Sequence, residues 1–391
     1  MPSPSPTCRA LLFGSLIAFA LLVALCAKRI DHASHGKAST DYSNVLVSDF
    51  VNDWTAAHLV HADKVAVLFD RAAYRQYMDD MWGRPVEPHD WSYPPHLLTL
   101  IAPLHALPYF PAWALWSALG LLAYYCAMRR AQPALPRGWQ ALILLGPASM
   151  VNLMHGQTGF FSAAFLLGGL YLLPKKPWMA GVLFGLLTLK PHLGLLLVPL
   201  LLMLWQWRAI LAACATAGTL IGLSLLQWGV APWVAYFTTT RMNHLDFLEH
   251  YEGFYTLVMP GAMAAQRMLG VPMGTAWVGY GAVALASAAA ALWIVRREGL
   301  TARAILGLAL ATLLVTPYGF NYDMTIIALP LGVYLYAQAT MRSPFAAASW
   351  WFLWIAPAAI YLLNLFSLPL VAVALIGTLG MLVWQCRTDA A

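Results

Sequence analysis

Apolar runs long enough to cross a bilayer recur along nearly all of this chain, and that recurrence leaves few folds open. A run of about 20 residues out of contact with water must satisfy every backbone N–H and C=O within itself, which a helix does and an isolated strand cannot. The chain has 391 residues, 61% of them hydrophobic and 10% charged, against about 25% charged in ordinary soluble domains. The expected fold class is therefore all-α, a polytopic transmembrane helical protein.

The runs predict about 12 transmembrane helices, at roughly 10–28, 107–128, 139–154, 158–173, 178–190, 192–207, 209–228, 275–295, 303–316, 323–340, 345–366 and 368–385. The first follows Arg9, is long for a signal-peptide core and closes on no small-x-small site, so it reads as an uncleaved anchor. With the N-terminus inside, Arg129, Arg130, Arg137, Lys175, Lys176, Arg208, Arg296, Arg297, Arg303, Arg342 and Arg387 all fall at cytoplasmic helix ends, as the positive-inside rule requires. The net charge of +6 then reflects topology and does not call for a nucleic-acid partner. The five cysteines, Cys8, Cys26, Cys126, Cys214 and Cys386, lie scattered in or beside apolar runs, with no CxxC pair and no disulfide framework.

This topology sends two long segments, about 32–106 and 229–274, to the non-cytoplasmic side, so one membrane-embedded domain spanning 1–391 carries an elaborated outer face with interfacial helices. The segment 256–270 is apolar enough to span, but counting it would put Arg296 and Arg297 outside, so it is expected to re-enter or lie at the interface. Of the 16 acidic residues only Glu298 and Asp389 are placed inside, and all 11 histidines are outside or at outer helix ends. Acidic residues contribute little to orientation, so this segregation points to chemistry at the outer face.

Six constellations gather there. Ser48 to His58 places Asp49 and Asp53 one helical turn apart on a single face. One of them could be a general base acting on a hydroxyl; the alternative is the solvated acidic face of an amphipathic surface helix. Trp91-Ser92-Tyr93-Pro94-Pro95-His96 leads into Pro103, Pro108 and Pro111, a proline density that no regular helix tolerates, and Tyr93 and His96 become either substrate contacts or turn-capping aromatics. Asn152 and Gln157, in Asn152-Leu153-Met154-His155-Gly156-Gln157-Thr158, are costly at membrane depth without partners, which sugar or a neighbouring helix could supply. Lys190, between Leu189 and Pro191-His192, runs against the positive-inside bias, and its point charge suits a phosphate; snorkelling to headgroups is the alternative. His244, Asp246, Glu249 and His250 match no regular metal-ligand pattern. In Thr316-Pro317-Tyr318-Gly319-Phe320-Asn321-Tyr322-Asp323, Asp323 is also well placed to cap a helix.

In order along the chain, these residues resemble the family-87 glycosyltransferases of the GT-C fold, typified by polyprenyl-phosphate-mannose-dependent enzymes that extend phosphatidylinositol mannosides. Asp49-Phe50 with Ala56-Ala57 opens the pattern, and Phe69-Asp70 with Tyr74 resembles the family's following Tyr-Asp-x-x-x-Tyr element. Tyr93-Pro94-Pro95, Pro103-Leu104, Leu107-Pro108, Gly156-Gln157, Lys190-Pro191, Thr316-Pro317 and Tyr322-Asp323 complete it. The chain departs in carrying His192 where the family has Lys-Pro-Gln, and Tyr322-Asp323 where relatives often carry His. The resemblance implies inverting transfer of a hexose, mannose favoured, from a polyprenyl-phosphate sugar to a glycolipid or glycan hydroxyl, with Asp49 as general base. Asp53, Tyr93, His96, Asn152, Gln157, Lys190, His192, Tyr322 and Asp323 are the candidate donor and acceptor contacts.

The chemistry is consistent with that reading. A polyprenyl phosphate leaves without the general acid that an inverting glycosidase needs, so one carboxylate and a phosphate-holding cation suffice, and neither metal nor cofactor is expected. Expected partners are membrane lipids, the polyprenyl-phosphate sugar and a glycolipid or glycan acceptor, with no nucleic acid. The expected location is the plasma (inner) membrane, with both termini cytoplasmic and the active site on the periplasmic or extracellular side. The competing reading is a multi-helix transporter for a small polar or anionic solute, which would place ionisable residues near the midplane and show repeats; here the charges gather at one face and no repeat is visible.

Overall fold

A computed structural model of the protein describes residues 11–20, 49–83, 85–86, 89–251, 254–337 and 344–389; among them every regular element is helical. The first helix is α1 (Leu11–Ala20). The loop segment that follows carries α2 (Phe50–His61), α3 (Arg71–Trp82) and α4 (His96–Ile101). The bundle then runs through α5 (Tyr109–Ala131), α6 (Arg137–Leu144), α7 (Pro147–His155), α8 (Gly159–Leu172), α9 (Pro177–Leu186), α10 (Leu197–Met203) and α11 (Trp207–Trp228). A second long connection holds α12 (Ala231–Ala235), α13 (Arg241–His250) and α14 (Ala262–Met268), and the chain closes with α15 (Met273–Glu298), α16 (Ala302–Val315), α17 (Thr325–Ala337), α18 (Pro344–Leu365) and α19 (Leu370–Thr388). The end of the first expected span at 21–28, the loop stretch 32–48, and Cys8, Arg9, Cys26, Glu252 and Arg342 lie outside the described residues.

Among the described residues five helices are long and apolar enough to cross a membrane: Tyr109–Ala131, Trp207–Trp228, Met273–Glu298, Ala347–Leu365 and Leu370–Thr388. They turn leucines and valines outward, such as Leu119 and Leu122 on α5, Leu226 on α11, Val278 and Leu285 on α15 and Val373 on α19, all exposed, as a surface facing lipid tails must. Other expected spans are shorter. The helices α8 and α16 have 14 residues each, about 21 Å at 1.5 Å per residue, less than the roughly 30 Å hydrocarbon core. Every residue of α16 from Ala304 to Leu314 is buried, so protein rather than lipid surrounds this helix and its ends need not reach the headgroups.

Several expected helices are interrupted. The run 139–154 divides into α6 and α7 because Gly146 is extended and Pro147 starts a new helix. The runs 178–190 and 192–207 tighten into 3-10 turns on either side of Lys190, at Leu187–Leu189 and Pro191–Gly194, where proline removes a backbone donor. The apolar segment 256–270 does not form one helix: a 3-10 turn at Phe254–Val258 and the seven-residue α14 are separated by an irregular stretch containing Pro260, and neither is long enough to span.

Among the described residues the two largest buried cores follow from this arrangement. The larger joins α5 to α10 with α15 to α19. The smaller lies where the two long connections meet, and packs α2 and α4 under Trp91, Tyr93 and Tyr109. The expected bend between Tyr93 and Pro111 takes the form of α4, a 3-10 turn at Ala102–Ala106 and an extended Leu107 before α5. The indole of Trp54 donates to the Leu107 carbonyl at 3.0 Å, fastening α2 to this bend. Arg71 joins the two connections, donating to Asp90 at 2.7 Å and to Asp246 at 3.0 Å. At the opposite end of the bundle Arg303 pairs with Glu298 at 3.0 Å and with Asp389 at 2.8 Å.

Candidate active site

The helix α2 is not the surface helix its two carboxylates could have indicated. Nine of its residues are buried, on all sides of the helix, and Asp49 and Asp53 are each only 2% exposed. What holds it is local chemistry on its neighbours. Asp70 caps α3 by accepting from the Ala72 and Ala73 N–H groups, which orients Tyr74 so that its hydroxyl donates to the Asn52 side chain at 2.6 Å.

Asp49, immediately before α2, is surrounded by groups from distant parts of the chain. Its Oδ2 lies 3.2 Å from His155 Nδ1 and accepts from the Gln157 amide at 3.2 Å. Its Oδ1 is engaged more loosely, by the Tyr255 hydroxyl at 3.4 Å and by His89 Nε2 at 4.0 Å. Burial pushes the Asp49 carboxyl up, but the charge and hydrogen bond of His155, with His89 and Gln157, outweigh it and hold it at about 2. Asp53 has no such company: its Oδ1 is buried with no hydrogen-bond partner among the described residues. Burial, with the like charge of Asp49, pushes it up to about 7 against the pull of Lys190. Neither carboxylate lies within a membrane-crossing helix.

The turn from α7 to α8 delivers two of these contacts. Gly156 adopts a left-handed conformation (φ 66°), and its N–H closes α7 on the carbonyls of Asn152 and Leu153, so that His155 and Gln157 both reach Asp49. Asn152, with its amide turned to satisfy both neighbours, donates to the Gln157 carbonyl at 2.9 Å and accepts from the Phe160 N–H at 2.7 Å, a bridge between the helices. At Gly159 an added Cβ would collide with the Tyr322 carbonyl, so this turn and the 320–323 turn approach as closely as backbone allows.

Hydrogen bonds from Asp49 through Gln157 to Tyr93 end beside a buried ion pair. The Tyr93 hydroxyl donates to Gln157 at 2.7 Å, and the Tyr93 ring lies 6.0 Å from Lys190 Nζ. Lys190 donates to Asp323 at 2.8 Å and sits over the Tyr322 ring at 4.6 Å. Asp323 also accepts from the Phe320 N–H at 3.1 Å through its other oxygen, so the expected capping role and the expected site role coincide in one side chain. His192 senses the charges of Asp323 and Lys190. Beside Lys190 a small cleft is lined by Trp116, Phe161, Phe165, Leu187 and Leu189, with Thr158 and Ser162 at its polar edge; the Trp116 indole N–H and Thr158 hydroxyl are buried without a hydrogen-bond partner among the described residues.

The structure thus brings together Asp49, Asp53, Tyr93, Gln157, Lys190, His192, Tyr322 and Asp323. The contacts of His96 run elsewhere, to Thr188 at 3.3 Å and face to face with Trp233, and those of Asn152 are to backbone. Sequence reasoning overlooked His89, His155 and Tyr255. His155 was legible as the last residue of a helix ending in glycine at the acidic face. His89 and Tyr255 come from long connections without periodicity, and nothing local in the sequence points them at Asp49. In the 244–250 segment, Asp246 pairs with Arg71 and with His250 at 3.1 Å, while His244 packs on Tyr318.

Buried carboxylates, imidazoles and a lysine, at the end of a helical membrane bundle where its long connections meet, define a membrane protein built for polar chemistry beside lipid. The model of glycosyltransferase family 87 matches residues 91–317, more than half of the chain, and the chain belongs to that family. Tyr93, Gln157, Lys190 and His192 fall inside the matched stretch, whereas Asp49, Asp53, Tyr322 and Asp323 fall outside it. No curated protein and no solved structure matches the chain.

Proposed function

We propose that this membrane glycosyltransferase moves a hexose, mannose favoured, from a polyprenyl-phosphate sugar to a hydroxyl of a glycolipid or glycan. Transfer proceeds with inversion at the non-cytoplasmic face of the plasma (inner) membrane, with Asp49 as general base and no metal. The observation that carries this reading is the gathering of His155, Gln157, Tyr255 and His89 around one buried carboxylate, Asp49, with Tyr93 linking Gln157 toward Lys190.

A carboxylate held at about 2 is a weak base toward a free alcohol. In an oxocarbenium-like transition state, however, the attacking hydroxyl becomes strongly acidic as its C–O bond forms, so late proton transfer to Asp49 is downhill. His155 steadies the carboxylate until then. On the donor side Lys190 spends one of its three N–H bonds on Asp323 and keeps the others for the departing phosphate, whose growing charge it stabilises. Gln157 and Tyr93 link the two halves, so base and phosphate site hold a fixed spacing, which is the source of the proximity term.

The test is transfer in membranes containing the overexpressed protein, supplied with radiolabelled polyprenyl phosphate mannose or glucose, comparing wild type with Asp49→Asn at equal folded protein. Label should move to lipid or polymer in wild type and fall by at least about a hundredfold in the variant. Intact transfer in Asp49→Asn removes Asp49 as base, and no donor consumption by wild type removes the donor assignment.

A further inference from the structure

The site contains three buried carboxyl groups, Asp49, Asp53 and Asp323, and one buried ammonium, Lys190. If all were ionised, three negative charges would stand against the Lys190 ammonium and whatever positive charge His155 and His89 carry when protonated, a poor setting for an anionic phosphate. Asp323 is committed to Lys190 at 2.8 Å and Asp49 to His155 at 3.2 Å. Asp53 is the one carboxyl of the three with no hydrogen-bonded partner among the described residues, and its Oδ1 is out of contact with water. An ionised oxygen left this way is expensive. A protonated one costs little and retains a donor to offer.

The groups that share charge or hydroxyl interactions with Asp53 are Asp49 on its own helix, Lys190 from the break between α9 and α10, Tyr93 ahead of α4, Tyr74 on α3 and Tyr109 at the start of α5. Only Lys190 among them favours ionisation, and burial outweighs its pull. We propose that Asp53 is a second substrate-binding residue, held as a neutral carboxylic acid whose O–H donates a hydrogen bond to a phosphate oxygen of the donor. This rests on the reading of the donor as a phosphate-linked sugar. No proton is transferred: the acid supplies a donor without adding a negative charge, and Lys190 supplies the positive one.

Burial carries the acid to about 7, so transfer should decline as pH rises past that point and Asp53 becomes an anion facing the phosphate. The experiment compares wild type, Asp53→Asn, Asp53→Ala and Asp49→Asn in native-lipid membranes with radiolabelled donor, normalised to monodisperse protein. The amide of Asp53→Asn still donates, so it should lose no more than about tenfold in transfer and show no alkaline decline, while Asp53→Ala should lose about a hundredfold, mostly as raised donor KM. Infrared difference spectra of wild type near neutral pH should contain a protonated-carboxyl band that Asp53→Asn lacks.

Asp53→Asn as inactive as Asp49→Asn in folded protein overturns the proposal, because Asp53 would then be needed as an anion. So does an alkaline decline that survives in Asp53→Asn, or a wild type without the infrared band. A wild type that consumes no donor fails the donor reading and removes phosphate as the ligand, while the infrared band decides separately whether the proton is there.

Discussion

Lys190 and Asp323 face each other out of reach of water, each the main partner of the other. Removing one member of such a pair strands the other, at a cost of about 3–5 kcal/mol, whereas replacing both by neutral groups of similar volume is often neutral. Lys190→Ala should therefore melt well below wild type in detergent, and Lys190→Met combined with Asp323→Asn should regain most of that loss while still failing to transfer sugar. The carboxyls of α2 act on stability in opposite senses. Asp49, lowered from 3.8, contributes above about pH 4 and loses that contribution as pH falls toward about 2. Asp53, raised, contributes fully below about pH 4 and loses its contribution as pH rises through about 7. Melting temperature in detergent should accordingly drop from about pH 5 to about pH 8, and drop less in Asp53→Asn. The types of these residues made them conspicuous in the sequence, since a carboxylate or lysine amid apolar runs needs a reason. Their partners were not conspicuous: His89 and Tyr255 reach Asp49 only through tertiary folding of the long connections.

Helices rather than side chains decide whether the two halves of the site meet. The α7–α8 turn depends on Gly156 in a left-handed conformation and on Gly159 against the Tyr322 carbonyl. Gly156→Ala should cost about 1–3 kcal/mol through backbone strain. Gly159→Ala should cost a similar amount by forcing apart two turns and should weaken the Lys190–Asp323 contact, giving a lower melting temperature together with raised donor KM. At this scale the apolar runs indicated where helices lie but not where they break. Gly146-Pro147 and Lys190-Pro191 sit inside long apolar stretches, so hydropathy ran across interruptions that backbone chemistry imposes. Nor did the runs distinguish helices facing lipid from α16, because burial against protein and burial in lipid favour the same residues.

For the molecule as a whole, the orientation inferred from basic loops remains a proposal open to direct test. Lys64, exposed among the loop connections, and Ala134, exposed beyond the far end of α5, lie on opposite sides of a membrane-crossing helix. In intact cells a membrane-impermeant maleimide should label Lys64→Cys and should reach Ala134→Cys only after permeabilisation; the reverse pattern would invert the topology and move the site to the cytoplasm. Family membership was legible because its motifs are spread in order over much of the chain, and the match from 91 to 317 covers the middle of that series.

The same spread has a consequence for how the protein is made. Asp49 and Asp53 leave the ribosome first, His155 and Lys190 follow, and Asp323 arrives only near the end, so the Lys190–Asp323 pair can form only after most of the bundle has been made. A chain that ends before Asp323 therefore lacks the buried partner of Lys190.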